Sequence, residues 1–321
     1  MDKKILTEIH QKIKEYQTII ITPHARPDGD CVGTAFGLRD ILKTTYPDKA
    51  VYAVGEETAY VKFLGDMDQI EDDVFKDALV IAVDTGNEER IADQRFNTGD
   101  FLIKIDHHIN VSPYGDIEYV DTSRPAAALI ILDLFFLFED EYKMTIDGAK
   151  ALFTGTLTDT GRFKYPGVDG DTFRHIARLY DMGLNPQEIY RELDTKSEAL
   201  VRFKGYVLLN YQKTPNGVAY VKITEELITT YNVSIEDASS MVNELSVFED
   251  CPIWVLLAEY EEKIVRARIR SKGPAINEIA NQFDGGGHAL ASGSNLGTWE
   301  RAEALLEVLD ERAKRYKETG E

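Results

Sequence analysis

The chain has 321 residues, 43% of them hydrophobic, and carries a formal net charge of −20. That length favours two domains, each with enough apolar residues to bury a core, and argues against a disordered chain. The acidity argues against a protein that tracks long nucleic acid, which calls for a basic stripe, but it leaves room for a small anionic substrate in a locally cationic or metal-bearing pocket.

The two cysteines, Cys31 and Cys251, are too few for a disulfide framework, and no secretory signal is expected, because the first apolar run, Ile19 to Ile21, is short and follows a charged, helix-like stretch. The longest apolar segment, Ala126 to Phe138, is interrupted by Asp133 and falls short of the roughly 20 apolar residues a bilayer requires. A cytoplasmic protein with no membrane partner is expected.

Lys3 to Tyr16 has helical periodicity, and the β-branched strand Thr18 to Thr22 follows, stopping at Pro23. After a loop come a helix from about Cys31 to Lys43 and a strand at Ala50 to Val54. Ala78 to Val83 and Phe101 to Ile105 are short, almost wholly apolar runs, as in buried parallel strands. Pro125 to Phe138 and Ile146 to Leu157 read as helices. This alternation predicts an α/β domain over residues 1–185 with a doubly wound, mainly parallel sheet, whose ligand site lies beyond the carboxyl ends of the strands. Residues 186–209 are helical and charged, and are expected to connect the domains. Residues 210–321 predict a smaller α+β domain: strand Val218 to Ile223, helix Ile235 to Val247, strands Ile253 to Glu259 and Lys263 to Arg270, helix Ile276 to Gln282, the run Gly285-Gly286-Gly287-His288, and a terminal helix Trp299 to Tyr316.

Chemistry-bearing residues collect at the ends of these elements. His24-Ala25-Arg26-Pro27-Asp28-Gly29-Asp30 follows the first strand. Asp84 follows the strand ending at Val83, Asp106-His107-His108 follows the next, and Asp159 follows a helix. Taken singly, Asp28-Gly29-Asp30 is turn chemistry and Asp84 or Asp159 is a helix cap. An EF-hand fails, because its fifth ligand position is Val32 and its twelfth Arg39. The coincidence of carboxylates and imidazoles at successive strand ends favours one metal crevice. Two cations about 3.5–4 Å apart clamp the attacking and leaving oxygens of a displacement at phosphorus. Asp28 and Asp30, split by Gly29, can each reach one ion, and mixed oxygen and imidazole ligation suits manganese, with magnesium or cobalt as substitutes.

The ordered set HARPDGD (24–30), VDTG (83–86), DHH (106–108), TDTGRF (158–163), IRSKG (269–273) and GGGH (285–288) resembles the DHH phosphoesterase superfamily, over essentially the whole chain and in the order of its nanoRNase/pAp-phosphatase branch. The resemblance implies that His24, Asp28 and Asp84 hold one metal and that Asp30, Asp84, His107 and Asp159 hold a second, with Asp84 bridging. It implies that His108 contacts the scissile phosphate and that Asp106 orients the adjacent histidine. Arg124-Pro125-Ala126-Ala127 stands where the family usually has small hydroxylic residues, so Arg124 is expected either to contact phosphate or to lie exposed beside a helix-starting proline.

In the second domain, Arg266, Arg268, Arg270 and Lys272 alternate onto one face of an extended strand. Arg270 and Ser271 fall in the family's phosphate-binding segment. The GGGH run, with Gly286, Gly287 and His288, is expected to form an anion nest for a terminal phosphate or nucleotide. It lacks the ending of a P-loop. The resemblance implies a manganese-dependent enzyme that degrades oligoribonucleotides of about two to five nucleotides and removes the 3′-phosphate of 3′-phosphoadenosine 5′-phosphate. Linear dinucleotides from cyclic-dinucleotide turnover are the alternative substrate. An inorganic pyrophosphatase fits less well because of the GGGH run, a non-catalytic nucleotide-binding module because every ligand position is filled, and a long-strand exonuclease because of the chain's length and acidity. The sequence does not set the oligomeric state.

Overall fold

The apolar runs of the first half assemble into one parallel sheet. The computed structural model describes residues 2–320 and divides into two compact units, Met1–Thr195 and Lys196–Glu321. The boundary falls inside the stretch expected to connect the domains: its first helix belongs to one unit and its second to the other.

The first unit runs α1 (Lys3–Glu15), β1 (Thr18–Thr22), α2 (Gly29–Thr45), β2 (Ala50–Ala53), β3 (Leu79–Val83), β4 (Phe101–Asp106), β5 (Ile117–Val120), α3 (Ala127–Leu137), α4 (Ile146–Asp159), α5 (Gly170–Asp181) and α6 (Pro186–Asp194). Its five strands are parallel, in the order β2-β1-β3-β4-β5. The order reverses between β1 and β3, the switch point beyond which ligands bind in doubly wound sheets. One face, with Ile19, Ile21, Ile81, Val83, Ile103 and Ile105, shares a core with the helices. On the other face Ile20, Val80 and Ala82 pack with Phe75, Phe96 and Tyr114, and short 3-10 turns at Asp72–Phe75 and Gln94–Thr98 do the covering.

Three features of this unit differ from the sequence expectation. Helix α2 starts at Gly29 rather than near Cys31, because the Asp28 carboxylate accepts the N–H groups of Asp30 and Cys31 and caps it. Strand β5 and helix α5 were not expected. The first is a short edge strand with mixed burial, and the second is a polar-faced helix opened by the Asp169–Thr172 capping box.

The second unit runs α7 (Glu198–Asn210), β6 (Gln212–Lys213), β7 (Val218–Ile223), α8 (Glu225–Tyr231), α9 (Ile235–Ser240), β8 (Ile253–Glu259), β9 (Val265–Ser271), α10 (Asn277–Gln282), β10 (Gly285–His288), β11 (Ala291–Gly297) and α11 (Trp299–Thr319). Its six strands lie in the order β10-β11-β9-β8-β7-β6; β7 and β8 are parallel and the other pairs antiparallel. Val255, Leu257, Val265, Ala267 and Ile269 pack with α10 and α11, while Trp254 and Leu256 face a core shared with α7 and α9. The expected helix over 235–247 is α9 followed by a 3-10 segment, Met241–Val247. Among the described residues no helix is long and apolar enough to cross a membrane.

Candidate metal centre

Strand order brings the sequence clusters together. His24 lies just past β1, Asp84 just past β3, and Asp106-His107-His108 at the end of β4; these three strands are neighbours. Asp28 and Asp30 come from the N-terminus of α2, and Asp159 is the last residue of α4.

Asp84 is central. Its Oδ2 is 3.8 Å from His24 Nε2, which is itself 3.6 Å from Asp28 Oδ2. Its Oδ1 is 3.3 Å from His107 Nε2 and 3.5 Å from His108 Nδ1. His107 Nε2 also lies 3.4 Å from Asp159 Oδ2 and 3.9 Å from Asp30 Oδ2. The six residues thus form two sets that share Asp84: His24 with Asp28, and His107 with Asp30 and Asp159. Asp84 is 2% exposed, its Oδ1 has no hydrogen-bond partner, and its backbone is left-handed at φ 52°. An aspartate tolerates that conformation better than most residues, and such strain is characteristic of functional sites.

The orientation of each ring follows from its second nitrogen. His24 Nδ1 faces the Ala25 carbonyl at 2.9 Å, and His107 Nδ1 faces the Arg124 carbonyl at 3.2 Å. A carbonyl only accepts, so Nδ1 carries a proton in both rings and Nε2 is directed at the carboxylates. Without a cation, a lone pair on Nε2 would oppose carboxylate oxygens. A proton or a metal ion removes that conflict.

Asp106 is fully buried. Its Oδ1 accepts the N–H groups of His107 and His108 at 2.9 and 3.2 Å and His108 Nδ1–H at 2.8 Å. The ring it orients is therefore that of His108, and Arg124 holds the ring of His107. The His108 side chain is half-exposed at 48%, whereas that of the neighbouring Asp84 is 2% exposed.

Electrostatics follow from crowding acids in a buried place. Burial, followed by the neighbouring Asp30 charge, raises Asp84 to about 7. The same two causes raise Asp159 to about 7. Burial also raises Asp30. His107 is lowered by burial, but its contacts with Asp84, Asp30 and Asp159 outweigh this and bring it to about 10. Asp28, although burial opposes it, is lowered to about 2 by His24 and the α2 N–H groups. Excess negative charge that resists full ionisation is what a divalent cation relieves. The buried Cys31 also lies within reach of His24, Asp28 and Asp84. Burial, then Asp28 and Asp84, push its thiol far above the ordinary range, so it offers no thiolate and the donors are oxygen and imidazole.

Some contributors were not visible in the sequence. The fully buried Lys104 donates to the Gly86 carbonyl at 2.9 Å and Asn110 Oδ1 at 3.1 Å, and lies 3.9 Å from Asp106 Oδ2. A lysine inside the apolar run FLIKID was the available signal. Gly155 of α4 permits the close approach of Asp30: a Cβ there would sit 2.8 Å from Asp30 Oδ1. Arg124 does not lie exposed beside the proline: its side chain is 11% exposed and forks onto Asp133.

Arg270, Ser271, Gly286, Gly287 and His288 all belong to the second unit. Register places His288 opposite Ala291 and Ala291 opposite Arg270, so His288 and Arg270 share one cross-strand row. Arg266 and Arg268 are exposed and Arg270 is half-buried, on the alternating face expected. Ser271 is buried, and its hydroxyl accepts the Gly273 N–H at 3.1 Å. The GGGH run is not a nest but the edge strand β10, paired with β11, in which Gly287 takes φ 133°. An edge strand directs alternate N–H groups outward, so donors remain available in a different geometry.

Residues 18–156 match the model of the DHH family, N-terminal domain, and residues 216–315 that of the DHHA1 domain. The chain is 35% identical to the bifunctional oligoribonuclease and PAP phosphatase NrnA of Bacillus subtilis, over 97% of this chain and 99% of that protein. It is 36% identical to the probable bifunctional oligoribonuclease and PAP phosphatase NrnA of Streptococcus mutans, over 88% of this chain and 91% of that one. The crystal structure of an exopolyphosphatase-related protein from Bacteroides fragilis superposes with a TM-score of 0.86 at 25% identity, covering 98% of this chain and 97% of the other.

Proposed function

Because the chain belongs to the DHH phosphoesterase family, we propose that it hydrolyses oligoribonucleotides of about two to five nucleotides to mononucleotides and converts 3′-phosphoadenosine 5′-phosphate to AMP. The activities named for its relatives, which align over nearly the full chain, support these substrates. The observation that carries the chemistry is the shared Asp84, buried between two sets of oxygen and imidazole donors with one oxygen unpartnered.

In this reading His24, Asp28 and Asp84 hold one divalent cation, and Asp30, Asp84, His107 and Asp159 hold another. Manganese is preferred, with magnesium or cobalt as substitutes. When bound, such a pair activates water and neutralises charge on the phosphoryl group. His24 and His107 are kept in the Nε2-ligating tautomer by the Ala25 and Arg124 carbonyls. Asp106 accepts from His108 Nδ1–H and favours the protonated ring, the hydrogen bond being the largest influence on it. His108 then donates from Nε2 to a phosphate oxygen. Arg270, Ser271, Gly286, Gly287 and His288 bind a phosphate or nucleotide away from the bond being cleaved. Domains 1–185 and 210–321 thus divide catalysis from substrate holding, joined by 186–209. The partners are small nucleotide phosphates rather than long duplexes, given the charge of −20. Two buried free thiols suit a reducing cytoplasm.

The test is turnover of a diribonucleotide, 3′-phosphoadenosine 5′-phosphate and pyrophosphate side by side, with and without manganese. Metal-dependent hydrolysis of the first two is expected. Pyrophosphate as the sole substrate would replace this reading with that of a pyrophosphatase.

A further inference from the structure

Asp133, Asp171 and His175 approach one another closely enough to suggest a second cation site away from the centre. A cation of the protein's own already lies among them. Arg124 Nε donates to Asp133 Oδ2 at 2.8 Å, and its Nη2 donates to Asp133 Oδ1 at 2.6 Å and to Asp171 Oδ2 at 2.7 Å. His175 Nε2 stands 3.0 Å from Asp133 Oδ1, and its Nδ1 faces the Asp171 carbonyl at 2.9 Å. The Asp133 side chain is 3% exposed, so the pair is buried and forked.

We propose that Arg124 is a positioning residue for the metal centre, locking a short strap that aims His107 and Asp30; this rests on the two-metal reading above. Residue 124 opens the strap, and its carbonyl accepts from His107 Nδ1 at 3.2 Å. Three and four residues on, the N–H groups of Ala127 and Ala128 hold Asp30 at 2.6 and 3.0 Å. The strap's hydrogen bonds therefore hold two members of the same donor set, His107 and Asp30. What fixes its near end is the guanidinium, tied to α3 through Asp133 and to α5 through Asp171. A rigid planar fork sets the direction of the backbone it hangs from, and a lysine ammonium, a point charge on a flexible stem, does not. Partners behind a ligand of this kind commonly change metal affinity about 10–100-fold when removed.

The experiment is a calorimetric titration of the metal-free full chain with manganese, with bound and free ion counted by electron paramagnetic resonance. Wild type is expected to take up two ions. R124M should weaken one of them by about tenfold or more and leave the other within about twofold, with R124K intermediate. Removing one charge of a buried pair strains folding, so R124M/D133N, which removes both, is titrated as well. Its far-ultraviolet dichroism and Tm should stay near wild type while the selective loss persists. A folded R124M/D133N that binds both ions as wild type does, or that loses both equally, overturns the proposal. A wild-type chain that binds no manganese overturns the metal reading beneath it.

Discussion

The Asp30 carboxylate caps a helix to which it does not belong, accepting the Ala127 N–H at 2.6 Å. Ala126, the N-cap residue of α3, supplies no side-chain acceptor, and Asp30 also receives the Ala128 N–H and the Thr34 hydroxyl. One side chain thus closes α3 and takes its place in the candidate metal centre, so its removal has two separable effects. In Asp30→Ala, buried N–H groups lose their acceptor, and the metal-free protein should lose about 1–3 kcal/mol in urea unfolding with a chelator present. Asp30→Asn keeps one acceptor and removes a crowded charge, so it should lose less than half as much while still losing manganese affinity. An alanine variant as stable as wild type would show that the cap contributes nothing.

Asp84 is the only residue shared by both donor sets, and its replacement should be the most damaging single change. Asp84→Ala should lower kcat/KM for a dinucleotide about a thousandfold, roughly 4 kcal/mol of barrier, with the fold intact by circular dichroism. Full activity in that variant, or after exhaustive chelation, would sink the two-metal reading.

Manganese binding should release protons. Asp84 and Asp159, raised to about 7, and His107, raised to about 10, are partly or fully protonated at neutral pH without metal, and ligation requires them deprotonated. Affinity should therefore increase as pH rises through 7 and beyond. Because these folded-state values lie above the unfolded ones, the same groups stabilise the metal-free fold fully below their unfolded values. That stabilisation fades as pH rises toward about 7 for the two acids and about 10 for His107. Titrations in buffers of different ionisation enthalpy would read the release directly, and a proton-neutral binding event near pH 7 would contradict it.

His288 lies in the second unit, in one row with Arg270. His288→Ala should raise KM about tenfold, near 1.4 kcal/mol of lost binding, with manganese content unchanged. Loss of bound metal in this variant would contradict a role confined to substrate.

Substrate length should matter through charge. An acidic chain gains little counterion-release affinity from a longer strand, so kcat/KM should be highest for dinucleotides to pentanucleotides and fall as the chain lengthens. Labelled RNAs up to about two dozen nucleotides, at fixed salt and manganese, test this. Equal or greater efficiency on the longest would favour a processive exonuclease.

The sequence by itself determined the α/β class, three of the sheet-forming runs that carry the centre, and the clusters that end them. Apolar runs and turn residues are local signals, and a strand end is where such a run stops. Other features depend on residues distant along the chain. Asp30 meets Ala127 across 97 positions and Arg124 meets Asp171 across 47, and nothing in the sequence near Arg124 distinguishes a buried fork from a phosphate contact. Folding alone decided that Asp106 serves the ring of His108 rather than His107. Pairing with β11 drew the glycine run into an edge strand, since a flexible segment takes the conformation its neighbour's backbone offers. Short strands and caps supplied from another helix are fixed by contacts made only once the chain has packed, and this is why they belong to the tertiary structure.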